Sequence, residues 1–400
     1  MNPAPPTGPR RVAVTSVGVI SPLGRGVQET RASLAAGRDC VMPVTEFDVS
    51  RCRAKTSGQV LETSAPAADR QSRRLHKASR LMIAAAIEAH LADPDFTPEL
   101  MIIGTTSGGM SFGQSFFRDQ MAGGQSRQRA SWLANYSPQK AVLDAQVACG
   151  YSAPSQIIAN ACASGSNAIG HAFALIRAGQ HERILCGGYD AISELVFVGF
   201  DTLQASTPEK IRPFDKGRTG LVLGEGAAIL ALEEWESARR RGAEILAEVT
   251  GYGISTDNHH LTQPHPSGIG PRLAMERALE SARLTPDKVD YINAHGTATA
   301  FNDATEGTAI TQLFGPRVPV SSTKSMMGHS LGAAGAIEAV FSLLALRHGF
   351  LPPNINYTEA DPAWPLEIVA NEARPAKVGC VVSNSFGFGG TNASIVLAAA

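Results

Sequence analysis

Apolar positions along the chain fall into short runs that stop at small or polar residues, and the same succession of runs occurs twice. The first pass opens with the strand predicted from Arg11 to Ile20, turned by Ser21-Pro22-Leu23-Gly24 into a helix that runs to Ala36 and closes at Gly37. Residues 38 to 69 read as irregular and polar, and an apolar helix follows from Leu81 to His90. Met101-Ile102-Ile103-Gly104 predicts a buried strand running into a glycine loop at 105–110. A looser helical region leads past Gly150 to a short strand at Ile157-Ile158, a turn, and a helix from Ser164 to Ile176 with apolar residues at helical spacing. Arg183 to Gly188 reads as a strand, residues 211 to 226 as loop, and Ala227 to Leu232 as a strand before the charged helix Glu233 to Arg241.

The second pass follows the same grammar. Ile245 to Gly253 resembles the opening strand, and Val289 to Gly296 is a strand into a polar loop, like Met101 to Gly109. Val318 to Lys324 followed by Gly328 to Arg347 is strand, turn and long helix, like Gln156 to Arg177. Val378 to Asn384 enters a glycine loop at 385–390, like Arg183 to Gly188. No close residue identity links the two passes, so the repeat is structural. It predicts two halves, residues 11–243 and 244–400, in an α/β fold with buried sheets whose functional loops gather at strand C-termini.

Composition narrows the function by exclusion. Length 400 is enough for a doubled domain, and the formal net charge of −1 gives no support to a nucleic-acid or membrane-surface role. The stretch Met1 to Arg11 is Pro-rich without an apolar core, and no run of some twenty apolar residues appears, so neither a signal peptide nor a membrane span is expected. The six cysteines form no CxxC pair; reduced thiols in a cytoplasm are expected, with no metal site. One basic cluster, with Arg73, Arg74, Lys77 and Arg80, reads either as a solvated face or as a docking site for an acidic partner; Arg127 and Arg129 would extend it.

The chemistry concentrates at one cysteine. Asn160-Ala161-Cys162-Ala163-Ser164-Gly165 places Cys162 at a strand-to-helix turn, where free N–H groups and the helix dipole favour a thiolate. Alone, it reads equally as a buried cysteine in a tight turn. Downstream stand His295-Gly296-Thr297 with Asp303 and Glu306, then Ser322-Thr323-Lys324 with His329, then Phe386-Gly387-Phe388-Gly389-Gly390. A cysteine and one histidine would suffice for a hydrolase or amidotransferase. Two histidines and a lysine, each leaving a strand, fit a reaction in which negative charge builds on an oxygen and is met by fixed donors.

These motifs, with Arg212-Pro213-Phe214-Asp215, Leu223-Gly224-Glu225-Gly226-Ala227 and Asn384-Ser385 before Phe386, resemble the elongating β-ketoacyl-acyl-carrier-protein synthases, in order and over almost the whole chain from Arg11. The resemblance implies a thiolase-like fold, two similar halves in a five-layer αβαβα sandwich. It implies decarboxylative Claisen condensation of an acyl thioester with malonyl-acyl-carrier protein, in fatty-acid or polyketide and polyene elongation. Cys162 would carry the acyl group, with the N–H groups of Cys162 and Phe388 as oxyanion hole and Phe386 and Phe388 at the gate. His295 and His329 would face the malonyl thioester, and Lys324, paired with Glu338 or near Asp303 and Glu306, would orient the site. Thr262, Thr297 and Thr299 would bind the phosphopantetheine arm of the carrier protein, the only prosthetic group implied, and Asn392 would support the loop. Ser107, smaller than the branched residue often found there, would wall the acyl pocket; the other reading is that it only turns a loop. The family also implies a homodimer, or a heterodimer with a chain-length-factor paralogue. The rival reading is such a non-catalytic chain-length factor, against which stand Cys162, His295, Lys324 and His329; a thiolase would need Cys380, which lies inside an apolar strand.

Overall fold

Five strands of the first half belong to the main sheet, and all but the short one at its edge are nearly continuous in apolar residues, the signature of a strand covered on both faces. They are β1 (Val12–Ser21), β2 (Leu100–Gly104), β3 (Ser155–Ile158), β4 (Arg183–Asp190) and β5 (Gly226–Glu234), standing side by side in the order β3-β2-β4-β5-β1. The second half supplies β6 (Ala247–Thr256), β7 (Tyr291–Asn293), β8 (Pro319–Ser321), β9 (Cys380–Gly387) and β10 (Thr391–Ala398), in the order β8-β7-β9-β10-β6. In both, the third, second and fourth strands run parallel, and the fifth returns antiparallel to the first. The sequence repeat is therefore a repeat of topology. This structure, a computed structural model, describes residues 9–61, 75–123 and 131–400.

The halves join where β1 pairs antiparallel with β6, from Val12 opposite Val249 to Val14 opposite Ala247. Two helices, α3 (Ser164–Arg177) and α7 (Ala334–His348), occupy the space between the half-sheets, each touching strands of both. Helix α7 is buried at every position from Ala334 to Leu346; it is apolar on all sides there except for Glu338, paired with Lys324, and Ser342, bonded to the Glu338 carbonyl. Its window Leu331–His348 is long and apolar enough to cross a membrane, yet 89% of it lies inside the fold. Helices α1 (Lys77–Ala92) and α2 (Gln139–Cys149) cover the outer face of the first half, and α5 (Ile269–Ala282) and α6 (Ala300–Phe314) that of the second, with α4 (Glu194–Thr202) lying near the site. That is helix, sheet, helix, sheet, helix: five layers.

Three of these helices, α4, α5 and α6, and the returning strand β10 have no counterpart in the sequence reading. Helix α6 begins where Thr299 caps it, its Oγ1 accepting from the Asn302 amide. A threonine in a polar loop gave that start away only in retrospect.

The two core helices touch at glycines. A Cβ on Gly335 would lie 2.2 Å from Ser166 Oγ and 2.7 Å from Ser385 Oγ, and one on Gly165 2.8 Å from the Ala336 amide. Their first turns therefore pack backbone to backbone, which fixes the turns that precede them. Gly335→Val is expected to lower stability by about 1–3 kcal/mol, the usual range for overpacking, read as a lower urea midpoint with unchanged slope. An unchanged midpoint would mean that the helices do not meet there.

Candidate active site

Cys162 sits in the short turn Ala161–Ala163 between β3 and α3. Ala161 adopts φ 55, a left-handed conformation that a residue with a Cβ takes only at a cost. The turn is held by Ser164 Oγ, which donates to the Ala161 carbonyl at 2.6 Å and accepts from the Asn160 amide at 3.0 Å. Behind it, Gly387 approaches so closely that a Cβ there would lie 3.2 Å from the Cys162 nitrogen. The N–H groups of Phe388 and of Cys162 itself are directed at the sulfur.

The two histidines arrive from the other half. His295 follows β7, and its own amide and that of Gly296 donate to the two oxygens of Glu306 at 2.8 Å each. Asn384 and Asn302 complete the set of donors on Glu306, whose carboxyl burial pushes up to about 7. His329 is pinned through its backbone, donating to the Val222 carbonyl at 2.7 Å and accepting from Gly224 at 2.8 Å. The imidazoles stand edge to face, centroids 5.2 Å apart, and the Cys162 sulfur and one nitrogen of each ring lie within 4.8 Å of one another. His295 Nδ1 and both ring nitrogens of His329 are buried without a hydrogen-bond partner among the described residues. Buried polar atoms left so are costly unless a ligand satisfies them.

Burial governs the electrostatics. It holds both imidazoles well below their ordinary range, helped by the Lys324 ammonium, so they are neutral at pH 7. Lys324 and Glu338 form an ion pair that is almost wholly enclosed; burial outweighs the pull of the ammonium and leaves the Glu338 carboxyl raised to about 7. The same burial raises the Cys162 thiol to about 11, against Lys324 and the two N–H groups. This corrects the expectation of a thiolate from the helix terminus: desolvation outweighs the donors.

A cavity of about 260 Å³ opens over these groups. Its walls include Cys162, His295, His329, Phe386 and Phe388, together with Thr262, Thr297, Thr299 and Asn392. Thr297 and Thr299 share a 2.9 Å hydrogen bond, and Asn392 donates to Asp257 at 2.9 Å. Phe388 stacks on Phe200 of α4 at 5.5 Å, a partner the sequence did not offer. Asp303 accepts from the amides of Phe214 and Ala298, shaping the loop behind His295. Ser107 is buried and does not line the cavity; its hydroxyl donates to Asp190 at 2.9 Å. Of the basic cluster, Lys77 is turned inward and paired with Glu46 and the buried Glu225, so its charge is not offered to a partner. Arg80 bonds the Leu75 carbonyl, and Arg73, Arg74, Arg127 and Arg129 lie outside the described residues.

Residues 9–238 match the family model described as beta-ketoacyl synthase, N-terminal domain, and residues 246–358 match its C-terminal domain. The chain belongs to the β-ketoacyl synthase family. It is 38% identical to 3-oxoacyl-[acyl-carrier-protein] synthase 2 of Coxiella burnetii, covering 97% of this chain and 98% of that one. Among solved structures, the ishigamide ketosynthase/chain length factor superposes with TM-score 0.91 at 35% identity, covering 98% of this chain and 100% of that one. A ketosynthase solved with its type II PKS acyl-carrier protein, AntDE:AntF, gives TM-score 0.88 at 28% identity over 98% and 100%. The thiolase-like fold expected from the motifs is the fold observed.

A thiol at about 11 is ionised to about one part in ten thousand at pH 7. Alkylation of Cys162 by iodoacetamide should therefore quicken about tenfold per pH unit from 7 to 9, followed by peptide mass spectrometry. A plateau below pH 8 would show a thiolate already stabilised.

Proposed function

We propose that the protein catalyses decarboxylative condensation of an acyl thioester with malonyl-acyl-carrier protein, giving the β-ketoacyl thioester lengthened by two carbons. The observation that carries this reading is the convergence, in one enclosed cavity, of one thiol and two neutral imidazoles, each with at least one buried ring nitrogen that lacks a partner among the described residues. A hydrolase would need one base and an admitted water; two hydrogen-bond donors set side by side suit an enolate oxygen instead.

In the first step the Cys162 sulfur attacks the acyl thioester carbonyl, the oxyanion rests on the N–H groups of Cys162 and Phe388, and the carrier's thiol leaves with the proton. In the second, the bond from the malonyl methylene to its carboxylate breaks, CO₂ departs, and the electron pair forms an enolate whose oxygen is met by N–H donors of His295 and His329. The enolate carbon attacks the acyl carbonyl, and collapse of that adduct expels Cys162 sulfur, which recovers a proton. The Lys324–Glu338 pair supplies a fixed field, and the arm of the carrier passes Thr262, Thr297 and Thr299. Phe386 and Phe388 gate the acyl side, while Asp303, Glu306 and Asn392 hold the loops. We place the division between the halves at 243/244, Cys162 in the first and His295, Lys324 and His329 in the second.

The partner implied is an acyl carrier protein, docked on the positive side chains around Arg73, Arg74 and Arg80, and the chain is read as one half of a homodimer or of a pair with a chain-length factor. A role as the non-catalytic chain-length factor itself is disfavoured by the intact constellation around Cys162.

Cys162→Ala should carry no acyl adduct and make no product. His295→Ala and His329→Ala should still acylate Cys162 but condense about 10²–10⁴-fold more slowly, as followed by carrier-protein mass spectrometry. Condensation near the unmodified rate in either histidine variant would refute the assignment. Reversing Arg73 and Arg74 to Glu should raise KM for carrier-protein donors and leave coenzyme A donors nearly unaffected; equal losses with both donors would make the cluster structural.

A further inference from the structure

Asp190, the last residue of β4, is fully enclosed and takes six hydrogen bonds. Its Oδ1 accepts from Thr105 Oγ1, the Ser107 amide and the Ser107 hydroxyl at 2.8, 2.8 and 2.9 Å, and from the Gly108 amide at 3.3 Å. Its Oδ2 accepts from the Thr106 amide at 2.8 Å and from the Gly332 amide at 2.7 Å. Burial raises its carboxyl above the ordinary range, and against that stand the six contacts, four of them amide N–H groups that can only donate and so favour the carboxylate.

The two bonds to Oδ2 reach the two ends of the chemistry. Thr106 Oγ1 donates in turn to the carbonyl of Ala161, the residue before Cys162, at 3.2 Å. Gly332 lies three residues after His329, in the turn Leu331–Ala333 that precedes α7. That turn mirrors Ala161–Ala163 before α3. Each opens on a non-glycine residue in the left-handed region, Ala161 at φ 55 and Leu331 at φ 53. By the repeat, Gly332 occupies the place of Cys162, and a Cβ there would lie 2.7 Å from Asp190 Oδ2 and 2.6 Å from the Thr106 nitrogen. The turn that carries a nucleophile in the first half is filled, in the second, by a carboxylate from the first.

We propose that Asp190 is a positioning residue, which ties the cysteine turn to the histidine turn across the junction of the halves and holds a buried negative charge in that tie. The inference rests on the reading of Cys162 and His329 given above. It goes beyond that reading in assigning a buried anion as the part that keeps the acyl thioester and its attacker in register. Strained turns of this kind persist only where the surroundings over-determine them, and a small displacement of reacting groups costs about 10²-fold in rate.

The test compares Asp190→Asn, which keeps the shape and loses the charge, with Ser107→Ala, which removes one of the six bonds and keeps the charge. Asp190→Asn should still accept an acyl group on Cys162 but condense about 10²-fold more slowly. It should also move the iodoacetamide profile of Cys162 toward lower pH, because the Asp190 charge is among the influences that raise the thiol, whereas Ser107→Ala should leave that profile in place. A merely structural role would not move a titration in one variant and spare it in the other. If Asp190→Asn is not recovered folded, Gly332→Ala, whose Cβ would crowd both Oδ2 and the Thr106 amide that donates to it, takes its place and should show the same split between loading and condensation. Condensation at the unmodified rate, or loading and condensation lost equally with the profile unmoved, overturns the proposal. The alkylation profile needs no carrier-protein substrate. A shifted profile in a protein that condenses no acyl donor would therefore count against the condensing function and still uphold the charge of Asp190 at Cys162.

Discussion

The site depends on the contact between two core helices. Helices α3 and α7 lie between the half-sheets and meet at their first turns through Gly165 and Gly335, where nothing larger fits. That contact sets the turns Ala161–Ala163 and Leu331–Ala333 side by side, and with them Cys162 and the loop of His329. Neither half alone owns the chemistry. The nucleophile leaves a strand of the first, the two imidazoles and the lysine leave strands of the second, and the Gly387 backbone comes back to lie against Cys162.

Enclosure then decides the charge states. In water a lysine beside a thiol would favour the thiolate; here desolvation is the largest influence on Cys162, His295, His329, Glu306 and Glu338 alike. The result is a resting site of neutral reacting groups, with its charges paired or hydrogen-bonded: Lys324 with Glu338, Glu306 with four N–H donors, Asp190 with six donors. Such a site has little to stabilise until a substrate brings a carbonyl whose oxygen becomes negative, which is where preorganised donors contribute most.

Much of this was legible in the chain. The strands that are buried on both faces announce themselves as short apolar runs, and the repeat of those runs foretold the doubled topology. Cys162, His295, Lys324 and His329 stood out because polar groups at strand ends in glycine-rich settings have few structural reasons to be there. What was hidden depends on distance in space. Asp190 reads as an ordinary acidic residue after a strand until Gly332, far along the chain, donates to it. Ser107 invites a pocket role by its position in a glycine loop, and only the fold turns its hydroxyl away from the cavity and onto Asp190. Lys77 looks like free surface charge in a basic run, but Glu225, 148 residues further along the chain, meets it in the core.

The central claim is that carbon–carbon bond formation is driven by loss of CO₂ at a site built from both halves. The most direct measurement mixes acyl-loaded enzyme with malonyl-acyl-carrier protein labelled with ¹³C at the free carboxylate, and quantifies labelled CO₂ against β-ketoacyl product by mass spectrometry. Equal amounts of the two, appearing together, are expected. Product that retains the label, or acyl groups released as free acid with no new carbon–carbon bond, would contradict the account.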